Sequence, residues 1–264
     1  MSDVVAVVDT YLEMWNEMDP GRRAEQIERA WTSDGSYVDP LLEADGHAAL
    51  SEMVLHLAQR LDVPLRERNR LLLAAGFAPV FSEQSLEEPE MLPVREALDR
   101  FLAAHEPFPA VVVDRGWNLV AANRGVALLT EGVDPRLLEP PANALRITLH
   151  PRGMAPRILN LGEWSRHLLE RLARQAELAA DDELRALYDE LAGYPGVDTA
   201  TSEEPEPASE ILLPLRLRHD DGILEFFGTV TTFGTPLDIT LSELVVEAFY
   251  PADARTADAL NRVG

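Results

Sequence analysis

Cysteine is absent from this 264-residue chain. No disulfide, thiolate nucleophile, iron–sulfur cluster or cysteine zinc site can therefore form, and redox chemistry would need a bound cofactor. Lysine is absent too: all 23 basic residues are arginine, set against 46 aspartates and glutamates, for a net charge of −23. A nucleic-acid binder needs a basic face to displace phosphate counterions, so any such face here would be a local arginine cluster on an acidic background. Long apolar runs are also missing; none approaches the ~18 residues that span a bilayer. The first twenty residues carry acids where a secretory leader has a basic start, which predicts a cytoplasmic protein. What remains is the balance of a globule, 46% hydrophobic and 26% charged. That is enough apolar surface to bury a core, in one large domain or two small ones.

The opening segment reads as an amphipathic helix, because Val4, Val7, Val8, Tyr11, Leu12 and Trp15 follow i, i+3, i+4 spacing while Asp3, Asp9, Glu13 and Glu17 face away. Such a stripe must be covered, since each large apolar side chain left in water forgoes ~1.5–3 kcal/mol. A second helix follows Asp19 and Pro20, with Ile27, Ala30 and Trp31 on its apolar side. Residues 35–40 read as a short strand ended by Pro40. Asp45 then caps a third helix that buries Leu50, Met53, Val54, Leu57 and Leu61, and Asp62 with Pro64 starts another that ends at Gly76.

Residues 79–93, with three prolines and four acids, read as a connector. A helix through Leu98, Phe101 and Leu102 runs toward a break at residues 105–109. Two apolar runs, 110–114 and 118–122, flank Arg115, Gly116 and Trp117 as a tight β-hairpin, and Asn123 is placed to cap the next helix. Residues 160–178 and 181–192 are helical by period, and the acidic, proline-containing stretch 195–210 reads as a mobile loop. Strands are expected over 211–218, 223–233 and 241–250. Hairpin, helices, then three strands is an α+β order of elements.

Four blocks, SEMVLHLAQRLDVPLRERNRLLLAAGFAP, AHEPFPAVVVDRGWNLVAANR, LRITLHPRGMAPRILNLGEWSRHLLERL and GTVTTFGTPLDITLSELVVEAFYPAD, carry a resemblance from about residue 51 onward. In that order they are similar to the C-terminal ligand-binding domain of the MmyB-like family of bacterial transcription regulators. The resemblance implies a PAS-like antiparallel sheet with flanking helices around an apolar pocket, and a small apolar or fatty-acid-like ligand. It also implies an Xre-type helix-turn-helix ahead of the sensor, of which Ser51 to Leu61 resembles the last helix. Before that helix stands something different. VDTYLEMWNEMD, IERAWTSDGSYVDP and a Gly-His pair resemble the start of a SnoaL-like protein, of the nuclear transport factor two and ketosteroid isomerase fold. The expected organisation is a SnoaL-like fragment over 1–50 and a helix-turn-helix remnant with a connecting helix over 51–78. A linker over 79–93, the PAS-like ligand-binding domain over 94–254 and a tail over 255–264 follow. The whole is α+β, with a mainly helical N-terminal region.

Residues 1–62 hold thirteen acids and four arginines, and between Ala30 and Leu50 the charged residues are all acids: Asp34, Asp39, Glu43 and Asp45. A segment this negative would be repelled by phosphate, so direct DNA readout through it is doubtful. The first helix can instead meet a second protomer, in a homodimer or a heterodimer with an intact regulator of the same family.

An enzyme is not expected. A SnoaL-like cone could use Asp39 or His47, near Tyr37, as a general base, but a base needs an enclosed pocket at hydrogen-bond distance, and the sheet that builds one has no counterpart here. No HExxH, GxSxG or Walker-type run occurs, and the histidines lack metal-ligand spacing, so no metal or cofactor is implied. For the ligand cavity the candidates are apolar, Trp117, Leu119, Leu145, Leu149, Trp164 and Leu168, although the same side chains would suit an ordinary core. Asn123, Arg146, Asn160 and His167 are candidates to hold a polar head, with His150 paired to His167 as a polar group near the pocket and Arg157 as a second cation. Arg146 is favoured because its planar fork can bond both oxygens of a carboxylate. The plainer reading of each arginine is a surface ion pair.

Overall fold

The computed structural model describes residues 36–38, 43–45, 63–74, 78–199, 213–220, 222–234 and 236–263. The helices expected around Val4 to Trp15, Ile27 to Trp31 and Leu50 to Leu61 lie outside these residues, as do Asp39, His47, Gly76 and most of the acidic loop expected over 195–210. The chain divides into two compact units, residues 1–84 with 235–242, and residues 85–234 with 243–264.

In the first unit, β1 (Ser36–Val38) pairs antiparallel with β2 (Glu43–Asp45), and the helix expected to follow Asp45 lies outside the described residues. The helix expected after Pro64 is α1 (Leu65–Ala74), which buries Leu65 and Leu72, one helical face seven residues apart. Asn69 on that helix is buried and satisfied: its Oδ1 accepts from the Val80 and Phe81 amides, and its Nδ2 donates to the Phe81 carbonyl at 2.7 Å. Asp238 plays the same part for the segment beyond, accepting from Ser82 Oγ at 2.7 Å and from the Gln84 amide. The residues expected as a featureless connector are thus partly tied down by two buried polar side chains, each with its hydrogen bonds made.

The second unit begins with α2 (Leu92–Ala104), preceded by a 3₁₀ turn over Pro89–Met91 that fits proline at a helix start. The hairpin follows as β3 (Ala110–Val113) and β4 (Leu119–Ala122). Asn123 does not cap the next helix, α3 (Val126–Thr130), whose N-cap is Gly125. Its side chain turns back instead, accepting from the Ala110 amide and donating to the Phe108 and Leu102 carbonyls. Then come α4 (Ala144–Leu149), capped by Asn143, α5 (Leu161–Ala179) and α6 (Asp182–Ala192), whose cap Asp181 accepts from the Glu183 and Leu184 amides. On α5, Trp164, Leu168, Leu172 and Ala176 recur every fourth residue and are all buried, which is the spacing that makes one apolar stripe.

Three more strands complete the sheet: β5 (Leu215–His219), β6 (Gly222–Thr232) and β7 (Val245–Pro251). The last strand starts later than expected, because Asp238 accepts from the Leu241 amide and winds Ile239–Glu243 into a short helix, α7. Helix α8 (Ala254–Val263) ends the chain and buries Ala259 and Leu260, so residues set apart as a tail are part of the packed unit. The five strands are all antiparallel, in the order β4-β3-β7-β6-β5. Fold class is α+β, a five-stranded antiparallel sheet with flanking helices.

Directly opposed residues in such a sheet share a face. Val111, Glu247 and Val230 are therefore neighbours on one side, as are Phe249 with Gly228, and Leu215 with Phe226. This side forms the main core with α4, α5 and α6: Phe226, Leu215, Leu217 and Leu224 are buried against Leu145, Trp164, Leu168 and Leu172. Each such side chain contributes on the order of 1.5–3 kcal/mol by leaving water. The other side carries Ala110, Val112, Val246 and Ala248, all buried, and α2 lies against β3. Glu247 is the anomaly. It places a carboxylate on the core face between buried Val111 and exposed Val230, toward that face's open end.

Candidate functional site

Two chambers lie in the second unit between α5 and the core face of the sheet. The inner one, of about 70 Å³, is walled by apolar side chains from the hairpin (Val111, Trp117, Leu119), from α4 (Leu145, Ile147), from α5 (Trp164, Leu168) and by Phe249. The outer one, of about 290 Å³, is walled by His167 and Arg171 of α5 and by Leu213, Val230 and Phe249. They share Trp164, Leu168, Glu247 and Phe249.

The hairpin tip is held over α5 by specific bonds. Asp114 Oδ1 accepts from the Gly116 and Asn118 amides, each at 2.8 Å, which closes the turn. Trp117 sits at φ 64°, a left-handed conformation that costs a bulky residue ~1–3 kcal/mol. Gln175 of α5 holds it there, accepting from Trp117 Nε1 at 2.9 Å and donating to the Arg115 carbonyl at 2.6 Å. The indole thus lies at the cavity wall, and the Arg171 guanidinium stacks over it, 4.8 Å from the ring centroid. On the far wall the chain turns sharply at Gly153, where a Cβ would collide with the Ile147 carbonyl, and this brings Met154 to the inner chamber.

The ionisable side chains that line the two chambers are one ion pair and one imidazole, beside the hydroxyls of Thr130, Thr148 and Thr229. Arg171 Nη1 lies 2.9 Å from Glu247 Oε1. The contact is electrostatic only: Glu247 Oε1 is buried and accepts no hydrogen bond, and among the described residues Arg171 donates none. His167 lines the outer chamber with its ring 6.0 Å from that of Trp164. Burial lowers its pKa below the ordinary imidazole value, and the nearby Arg171 charge lowers it further, so the ring is neutral near pH 7. Among the described residues no group of three or more His, Asp or Glu side chains could hold a metal ion.

Of the residues singled out from sequence, Trp117, Leu119, Leu145, Trp164 and Leu168 line the inner chamber and His167 the outer one. The others are placed elsewhere, each for a visible reason. Arg146 makes a forked bond to Glu190, with Nε and Nη2 donating to the two carboxylate oxygens at 2.7–3.1 Å, at an exposed position. Arg157 spends its guanidinium on the carbonyls of Leu128, Leu129, Glu131 and Arg218, and burial lowers its pKa. Asn160 pins β5, accepting from the Arg216 amide and donating to the Pro214 carbonyl. His150 accepts from the Arg152 amide and meets the Tyr194 ring edge-on, and Leu149 is fully buried core. Asn123 ties the start of β3, as described above.

Arg171 and Glu247 were missed by sequence reasoning. A signal for Glu247 existed: in LSELVVEAFYP it interrupts an otherwise apolar strand, and a charged residue mid-strand is a question about burial. Arg171 carried none, since the helix has arginines on several sides.

Residues 94–263 match the family described as the MmyB-like transcription regulator ligand binding domain. No curated protein matches the chain. The match covers the second unit from within α2 to the end of α8, and no family match supports the SnoaL-like fragment expected over 1–50. Among the described residues no helix is long and apolar enough to cross a membrane.

Proposed function

The chain belongs to the MmyB-like transcription regulator ligand binding domain family, and on that premise we propose that it is a sensor taking a small apolar or fatty-acid-like molecule between α5 and the core face of its sheet. One observation carries this reading: the pair of chambers that share Trp164, Leu168, Glu247 and Phe249. The inner chamber alone is smaller than the ~150 Å³ apolar cavity that holds benzene. The two together reach the lower part of the ~300–1,000 Å³ range of small-molecule sites. Entry therefore requires the shared wall to move, with Trp164 and Phe249 turning aside so that a tail reaches Leu145 and Trp117. The bound tail would replace empty space at the core of the unit, which makes occupancy a stabiliser of the fold by mass action.

In the same proposal the N-terminal segment does not read DNA. Its thirteen acids against four arginines over residues 1–62 set a repulsive field toward a duplex. Output then passes through protein partners, a second copy or an intact regulator.

Native mass spectrometry of the full chain tests the first part. A mass excess that organic extraction removes, with a lower melting temperature afterwards, is the expected result. Protein of the bare sequence mass, with no thermal shift from any member of an apolar probe series, overturns it. A salt-dependent gel shift with genomic fragments would overturn the second part.

A further inference from the structure

The ligand's polar end is set by what meets it. Glu247 stands on β7 between the buried Val111 and the exposed Val230 in the sheet register, where the core face gives way to the outer chamber. Its Oε1 is buried and accepts no hydrogen bond, and Arg171, its ion-pair partner among the described residues, stacks on Trp117 without donating to it in hydrogen-bond geometry. A buried acceptor left without a donor costs free energy that a suitable donor recovers. An arginine brings five N–H donors, which leaves acceptor positions wanted on its side as well. The pair is neutral as a whole. His167, the remaining titratable group on the chamber wall, stays uncharged near pH 7 because it is buried and faces Arg171.

Resting on the cavity reading above, we propose that the site selects apolar molecules ended by an uncharged group that both donates and accepts, a hydroxyl or a primary amide, bound between Arg171 and Glu247. Such a group gives its hydrogen to Glu247 Oε1 and its oxygen to the Arg171 guanidinium, completing both without changing the charge of the site. A carboxylate does half of this. It gains from Arg171 but lies against Glu247 in a low-dielectric wall, where like charges repel strongly. An ammonium has the mirror problem, attracted by Glu247 and repelled by Arg171. The tail extends from the shared wall toward Leu145, Trp117 and Leu168. This differs from the carboxylate-to-Arg146 arrangement considered from sequence, because Arg146 is already saturated by Glu190 and lines neither chamber.

The test is calorimetric titration of the full chain, after organic extraction, with four eight-carbon probes: 1-octanol, octanamide, octanoate and octylamine. Octanol and octanamide should bind at least about ten-fold more tightly than the two ions, a difference of about 1.4 kcal/mol. Two substitutions move the preference in opposite directions. Glu247→Gln leaves Arg171 unneutralised and should make octanoate the tightest probe; Arg171→Met leaves Glu247 unneutralised and should make octylamine the tightest. Far-ultraviolet circular dichroism and a cooperative melt establish that each variant is folded, and because the two shifts are opposite, one folded variant suffices. If octanoate or octylamine binds the unmodified protein as tightly as octanol and octanamide do, the selection argument is overturned while the cavity reading stands. If none of the four probes binds, the cavity reading falls and takes this inference with it.

Discussion

Two arginine–carboxylate pairs in the second unit have the same chemistry and opposite construction. Arg146 and Glu190 lie on the surface of α4 and α6, both more than a third exposed, yet their geometry is forked and complete, and Tyr194 Oη adds a further donor to Glu190 at 2.5 Å. Arg171 and Glu247 lie on the cavity wall, with the carboxylate side chain only 12% exposed, yet no hydrogen bond joins them. Solvent can repair a poor surface pair at little cost, whereas a buried pair must supply its own hydrogen bonds. The complete pair is where completeness matters least. The incomplete one is where a third group would be most stabilising, and this contrast marks the wall between the chambers as the place where the molecule is unfinished.

Removing the wall gives the largest expected effect. Trp164 lines both chambers and is 7% exposed. Trp164→Ala should destabilise the protein by about 3–5 kcal/mol, as large-to-small core changes do, read from the denaturant midpoint at constant slope. A loss below about 1 kcal/mol would mean that the wall is not packed and that the two pairs differ only in exposure. Next, Glu247→Leu alone strands a cation that keeps some solvent contact, so a loss of about 1–3 kcal/mol is expected. Adding Arg171→Met should recover most of it, because a buried pair can be replaced by apolar side chains of similar volume at little cost. Failure of the double variant to recover would show that Arg171 is held by Trp117 rather than by its partner.

The contrast also shows what the sequence could and could not say. Helix α5 was legible because Trp164, Leu168, Leu172 and Ala176 repeat at one helical period, and the hairpin because Arg115, Gly116 and Trp117 break two apolar runs. Of the candidates that line the inner chamber, Trp164 and Leu168 came from that helical period and Trp117 and Leu119 from the hairpin. The polar anchors were not legible. Arg146, Asn160, His150 and Asn123 have the functional groups that hold a ligand head, but those groups also close caps and strand starts, and which use is made depends on contacts between segments far apart in sequence, such as Arg146 with Glu190. Glu247 meets Arg171 across 76 positions, and no local pattern encodes that meeting. The onset of β7 was misplaced for a related reason: Asp238 turns Ile239–Glu243 into helix by one side-chain bond, against the strand preference of its neighbours.

Breaking the surface pair should do little to stability and something specific to titration. Glu190→Gln is expected to cost less than about 1 kcal/mol, the usual worth of an exposed pair. Tyr194 reports the change, because burial and the bond to Glu190 push its pKa up to about 12. The raised value means the protonated phenol favours the fold, a contribution present below the ordinary value of 10 and lost as pH rises from there toward 12. In the variant the phenol should ionise closer to 10, as followed by ultraviolet difference spectra. An unchanged titration would make burial the sole cause.

The smallest effect lies at the cavity and has the opposite pH sense. His167 is lowered first by burial and then by Arg171, with Glu170 opposing, Arg174 adding to the lowering and Glu247 opposing least. Its unfolded form takes up a proton near 6.5, while the folded form resists until a lower pH. Below 6.5 the unfolded chain therefore binds more protons, and stability should decline gradually from there to the depressed folded value, with no contribution above. Carboxylates titrate in the lower part of the same range, so the informative quantity is the difference between the protein and His167→Asn, which should be flatter between pH 6.5 and 5. The difference should persist or widen in Glu247→Gln. Removing that carboxylate takes away a charge that favours the protonated ring and leaves Arg171 unopposed, which holds the folded imidazole neutral to still lower pH and extends the slope below the window measured. A slope that is the same in protein and variant would place His167 in contact with water, and the outer chamber would then be an open surface rather than the approach to a site.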